Sequence, residues 1–225
     1  MQCKNVNPVI LGVKMKITLK DIKRDIKYGY EATKEYILDP ITALFKSKKI
    51  QNYSELSDYI RNESAKVIQQ TLYEYVRNRM GIQYVKLHDD EKFLESLNIA
   101  KWNIYTVALQ DLLLYTHSII DNFYKKDFTN LELENFYKKI LDLEINQGLN
   151  EDLLDKKNVE FKLRLHEVDL KNFHKQQPFK KSSLALFYWA PIADELKKED
   201  RNIVLNSIFL KWKNIEKDFP KLINL

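Results

Sequence analysis

Apolar residues recur along most of this chain at steps of three and four, the period of an α-helix with one buried face. From Thr18 to Leu38 the line is Ile22, Ile26, Tyr30, Thr33 and Ile37, with Lys20, Arg24, Lys27, Glu31 and Lys34 opposite. Gly29 inside this stretch marks a close helix–helix approach, because glycine costs a helix about 1 kcal/mol relative to alanine. Asp39-Pro40 ends it and can open a short helix. A second helix begins at Ser54 as N-cap and runs to Met80 through Leu56, Ile60, Val67, Leu72, Tyr75 and Val76. Gly81 follows where a left-handed cap belongs. A third, over 90–123 and capped by Asp89 or Asp90, carries Phe93, Leu97, Ile104, Ala108, Leu112, Tyr115 and Ile119. Its other line, Asn103, Thr106, Gln110, His117 and Asp121, reads as a polar face. Residues 107–115 are nonetheless apolar nearly all round, which places this helix in the middle of a bundle.

Thr129 or Asn130 caps a helix to about Asn146, before Gly148. Val159, Phe161, Leu163 and Leu165 alternate like a strand, but no partner strand is found, so 150–175 is read as helical. Residues 171–183 read as a loop, with Ser183 capping a short helix that Pro191 interrupts. Ile192–Lys197 forms a further turn, and Asp200 opens a last helix on the stripe Val204, Ile208, Trp212, Ile215 and Phe219, stopped by Pro220. The pattern predicts an all-α, single-domain helical bundle of about six to eight helices with one long central helix. Residues 1–17 are expected to be a loosely ordered N-terminus and 18–225 the helical domain, since no Gly/Ser/Pro linker and no repeat divides them.

Composition sharpens this picture. Four glycines and five prolines in 225 residues are too few for the turns of a β-sandwich or the phosphate loops of a nucleotide-binding α/β fold. The single cysteine, Cys3, excludes an internal disulfide and suits a reducing compartment. No apolar run is long enough to span a membrane, and Val9–Val13 is too short for a signal-peptide core, so a cytoplasmic location is expected. The formal charge is +5, and residues 1–50 hold 11 Lys or Arg against five acids. That basic N-terminal segment could meet nucleic acid or an anionic membrane surface, although a solvated helix face is the plainer reading.

Motifs that carry chemistry are absent from the sequence. No two glycines lie close enough for a phosphate loop, no Gly-x-Ser-x-Gly occurs, and none of the four histidines has a glutamate three residues before it. No cofactor and no metal is expected, and the balance weighs against an enzyme. Positive features are few. His117 and Asp121 share a helix face, as an ordinary surface pair, a histidine whose pKa the carboxylate raises, or a pair that holds a metal. Asp111 falls on the side that should be buried, where a carboxylate needs a partner. Arg77 and Arg79 are the candidates, with Tyr75 and Tyr105 completing an interior polar site or a structural ion pair. Trp189, Pro191, Asp194 and Glu195 form either a capped helix start or a peptide-docking notch. Lys171–Lys181 interleaves cations with Phe173, His174 and Phe179, as single-strand binders do and solvated loops also do.

Two stretches carry a resemblance. Tyr73–Gly81 running on to Ser96–Trp102, and Trp189–Lys197 running on to Asn206 and Trp212, resemble a family of uncharacterised bacterial proteins of similar length. The resemblance covers about a third of the chain and implies a helical bacterial cytosolic protein; it brings no activity and no site residue. Tyrosine and tryptophan beyond core needs favour an interface. The expected function is therefore non-catalytic binding of another macromolecule, most simply another protein. The alternatives are a small-ligand or enzymatic bundle around Asp111, and nucleic-acid or anionic-surface binding through the basic N-terminal helix.

Overall fold

The computed structural model describes residues 49–87 and 89–225. Every described residue lies in one compact unit, 49–225. The expectations for residues 1–17, for the helix at 18–38 with its basic face and for Asp39-Pro40 lie outside the described residues. Within them stand seven α-helices, no β-strand and one 3-10 segment: α1 (Tyr53–Met80), α2 (Gln83–Leu87), α3 (Glu91–Tyr124), α4 (Asn130–Ile145), α5 (Glu151–Glu167), the 3-10 segment (Leu170–Lys175), α6 (Lys180–Trp189) and α7 (Asp194–Leu222). The all-α reading holds.

Helix α3 is the axle. It packs against α1, α4, α6 and the 3-10 segment, while α1 also meets α7, α4 pairs with α5, and α6 pairs with α7. From Trp102 to Asp121 every side chain of α3 is buried except the half-buried Val107. The line Asn103, Thr106, Gln110, His117, Asp121 is therefore not a solvent face, which corrects the sequence reading. Burial of polar groups demands internal partners, and the fold supplies them. Thr106 donates its hydroxyl to the Trp102 carbonyl, Gln110 donates to Tyr137 Oη at 3.2 Å, and Tyr137 donates to the Thr106 carbonyl at 3.1 Å.

Local chemistry fixes most helix ends. Asp90 accepts from the Lys92 and Phe93 amides, and Thr129 with Glu132 forms a reciprocal capping box. Asn52, not Ser54, caps α1. Gly81 closes it with φ 52° and ψ −129°, a conformation side chains resist although open space surrounds its Cα. Gly81→Ala is therefore expected to cost about 1–3 kcal/mol through backbone strain alone. Urea unfolding checks this: the midpoint should fall with the slope unchanged.

The helix expected within 150–175 forms, and three boundaries after it differ from expectation. Helix α5 is regular: Leu154, Lys157, Phe161, Arg164 and Leu165 face inward, and Val159 and Leu163 point to solvent. The loop expected at 171–183 is a 3-10 segment tied to α3, with Asn122 donating to the Lys171 carbonyl and the His174 amide donating to Ser118. Helix α6 then starts at Lys180 rather than at a Ser183 cap, and the hydroxyls of Ser182 and Ser183 donate back to the Phe179 carbonyl. Finally, α7 begins at Asp194, not Asp200, and passes through Pro220. Proline deprives the Glu216 carbonyl of its helical donor, and the Tyr115 hydroxyl takes that place at 3.3 Å. Phe179 stacks on the buried Trp212 with centroids 4.3 Å apart, joining α6 and α7 beneath α3. Ile50 bonds to Leu222 and Asn224, fastening the start of this unit to its end.

Candidate functional site

Charged residues that continue an apolar stripe must find partners inside the bundle. Asp111 on α3, Glu144 on α4, Arg164 on α5 and Asp200 on α7, each on the inward face of its helix, find theirs on other helices, while buried Lys157 pairs with Glu160 on its own helix. The structure sorts the first four, and the residues expected around Asp111, into three separate clusters.

The first is Asp111 itself, with no solvent exposure. Arg164 Nη2 donates to its Oδ1 at 2.5 Å and the Ser182 amide donates to its Oδ2 at 2.7 Å. Burial pushes the Asp111 carboxyl up, and Arg164 and the Ser182 amide counter it. Arg164 also reaches Gln110 and lies against the Phe173 ring. With both carboxylate oxygens occupied, Asp111 is a bolt joining α3, α5 and α6. The expected pairing with Arg77 or Arg79 is not formed.

Arg79 instead grips Asp200 of α7 through Nε and Nη2, and Tyr75 donates to the same carboxylate at 3.1 Å. The Arg79 guanidinium holds Asp200 below the usual carboxylate range, and burial followed by Asp200 pushes the Tyr75 phenol up to about 12. This cluster bolts α1 to α7. Arg77 is exposed and contributes its carbonyl to the Gly81 cap.

Tyr105 belongs to the third cluster. Its hydroxyl and Arg61 Nε both donate to Glu144 Oε1, at 2.9 and 2.7 Å. Burial, then Glu144, raises the Tyr105 phenol. This cluster opens onto a cleft of about 280 Å³ between α1, α3 and the end of α4, whose walls include Lys101, Trp102, Gln69 and Gln147. Of the five residues expected in one interior site, Tyr105 is one that reaches an open cleft, and its partners Arg61 and Glu144 lie outside the sequence expectation.

His117 and Asp121 do not form a surface pair. His117 is buried between the edges of Phe128 and Phe136, and its Nδ1 lies 2.8 Å from the Leu113 carbonyl. A carbonyl only accepts, so Nδ1 carries the proton. Burial lowers the ring pKa to about 4, against the pull of that carbonyl. Asp121 lines a shallow polar depression with Asn122, Lys125, Asp127 and Lys171.

At the expected notch, α6 ends on Trp189 and α7 restarts at Asp194, with Pro191 between them. Ala190 and Ile192 fill the inside of this corner, while Trp189 and Tyr188 are exposed. Lys197 fastens it, pairing with Asp194 at 2.8 Å and donating to the Tyr188 carbonyl; its hydrogen bond, then its charge, holds Asp194 below the usual range. Glu195 is exposed. Beside the corner, α6 and α7 bound a groove of about 460 Å³, with an apolar floor of Pro178, Phe179, Leu184, Leu205 and Phe209 and with Lys180 and Arg201 among its polar residues.

Among the described residues no His, Cys, Asp and Glu side chains group as metal ligands, and no helix is long and apolar enough to cross a membrane. The class defined is an all-α helical bundle. No family model, no curated protein and no solved structure matches the chain.

Proposed function

We propose that the chain is a non-catalytic binding protein whose α6–α7 groove holds an amphipathic segment of another protein. The observation that carries this reading is the apolar surface left uncovered there. Phe209, in the groove beside Pro178, Leu184 and Leu205, is 47% exposed. Helix-lined apolar grooves take the apolar face of a partner helix.

Charge selects the partner. Lys180 and Arg201 are exposed and make no ion pair among the described residues, while Glu216 is the groove's one acid and is partly desolvated by burial. The matching segment carries an apolar anchor for Phe209 and Leu205 and acidic residues for the two cations.

The test is crosslinking capture with the tagged full-length chain in its own host, with salt varied. Wild type should retain a partner that Phe209→Asp and Arg201→Glu each weaken by about tenfold, with capture falling as salt rises. Both positions are exposed, so circular dichroism should be unchanged. Capture that ignores both substitutions overturns the reading.

A further inference from the structure

The Arg61–Tyr105–Glu144 cleft is built by α1, α3 and α4 and is separate from the α6–α7 groove. We propose that it binds a small monocarboxylate with an apolar or aromatic body.

The charge balance gives the sign and size of the ligand charge. Glu144 is 5% exposed, and its carboxylate is neutralised by Arg61 with the Tyr105 hydroxyl as second donor. Lys101 remains. Its ammonium lies 4.3 Å from the centre of the Trp102 ring, is partly desolvated and makes no ion pair among the described residues. A cation withdrawn from water without an anion is costly, and here burial lowers the Lys101 pKa despite nearby Glu144. Exposed Asp58 meets Arg61 from outside the cleft at 3.8 Å, and among the cleft's own lining residues Lys101 leaves one positive charge in excess. A monoanion balances it, whereas a phosphate monoester would set a second negative charge close to Glu144.

The walls give the rest. Trp102 is buried, and its indole N–H has no acceptor. That nitrogen is itself closed to solvent, so it reports on the cleft wall rather than meeting a ligand. Ala65 and Ile68 join Trp102 as apolar wall, and Gln69 and Gln147 supply amides at the rim. The cleft's volume, about 280 Å³, falls just below the range of about 300–1,000 Å³ typical of drug-sized ligands and suits a smaller one. A carboxylate on Lys101 with its body against Trp102 and Ile68 uses the free cation and the apolar wall, and Glu144 holds Arg61 and Tyr105 in place beside it.

The probes are benzoate and phenylacetate, with benzamide and phenylacetamide as neutral matches and phenyl phosphate as the dianion, titrated into the whole protein to about 20 mM, well past millimolar affinity. The readout is the indole N–H resonance of Trp102, assigned with Trp102→Phe. The expected result is that at least one carboxylate moves this resonance saturably, and that its amide binds about tenfold more weakly. Lys101→Met should weaken carboxylate binding by a similar factor without lowering the melting temperature, since the ammonium makes no ion pair among the described residues and methionine keeps the aliphatic packing on Trp102. Equal binding of acid and amide, tighter binding of phenyl phosphate, no movement with either carboxylate, or full binding by Lys101→Met overturns the proposal.

Discussion

Replacing Arg164 with methionine is expected to destabilise the bundle by about 3–5 kcal/mol, the range for removing one member of a buried ion pair. The substitution keeps the aliphatic bulk of the side chain and removes the guanidinium. Asp111, with no exposure, would then keep the Ser182 amide as its one remaining donor among those now present. Its escape is to hold a proton. Burial already raises the carboxyl in the wild type, and losing Arg164 raises it further. A folded-state pKa above the unfolded value favours the fold at low pH and weakens it as pH rises, so the variant's deficit should be larger at pH 8 than at pH 5. Urea unfolding at the two pH values measures both effects. Asp111→Asn combined with Arg164→Met should recover most of the loss, because the asparagine carbonyl can still accept from Ser182 and no charge remains buried. A single variant within about 1 kcal/mol of wild type at pH 8 contradicts the role given to this pair.

Acidification from pH 7 to pH 4 is expected to cost about 3 kcal/mol through His117. Its pKa is lowered from 6.5 to about 4 by burial. Between these values the unfolded chain takes up a proton that the folded chain does not. Stability therefore falls by up to about 1.4 kcal/mol per pH unit as pH drops through this window, and is fully present above it. His174, also lowered by burial, adds to the loss with the same sign. Asp200, held down by Arg79, adds its own loss only as the carboxylate range is crossed. Asp111, raised by burial, acts in the opposite sense. His117→Gln separates these contributions: thermal unfolding from pH 7 to pH 4 should be distinctly flatter in the variant, whatever its stability at pH 7. Parallel profiles for the two proteins would show that His117 is not a neutral, buried ring.

The elements of this fold are local statements, and the sequence states them well. The Phe93–Ile119 line, the Asp90 and Thr129 caps and the Gly81 stop all appear where the spacing puts them, because each depends on residues within one or two turns. The clusters are not local. Arg164 meets Asp111 across 53 positions and Arg79 meets Asp200 across 121, and periodicity says nothing about which inward-facing charges will meet. Polar residues on α3 mislead for the same reason: Gln110 looks like solvent surface until Tyr137 arrives from α4. A usable mark is nevertheless present. Glu144 stands three residues after Leu141 on its stripe and Asp200 four before Val204, and a charge that keeps the apolar register is a charge expecting a partner. The alternation at Val159–Leu165 conceals Arg164, whose inward position shows once Phe161 and Leu165 are counted as helical neighbours four apart.

A photoreactive amino acid at Phe209, introduced in the native host, reads the α6–α7 groove in place. The same group at Val159, an equally apolar and 60% exposed position on α5, serves as the control. The groove reading predicts an adduct with one other protein from Phe209, weakened by Arg201→Glu, and none of that mass from Val159. The same adducts from both positions, or no adduct from Phe209, contradict it.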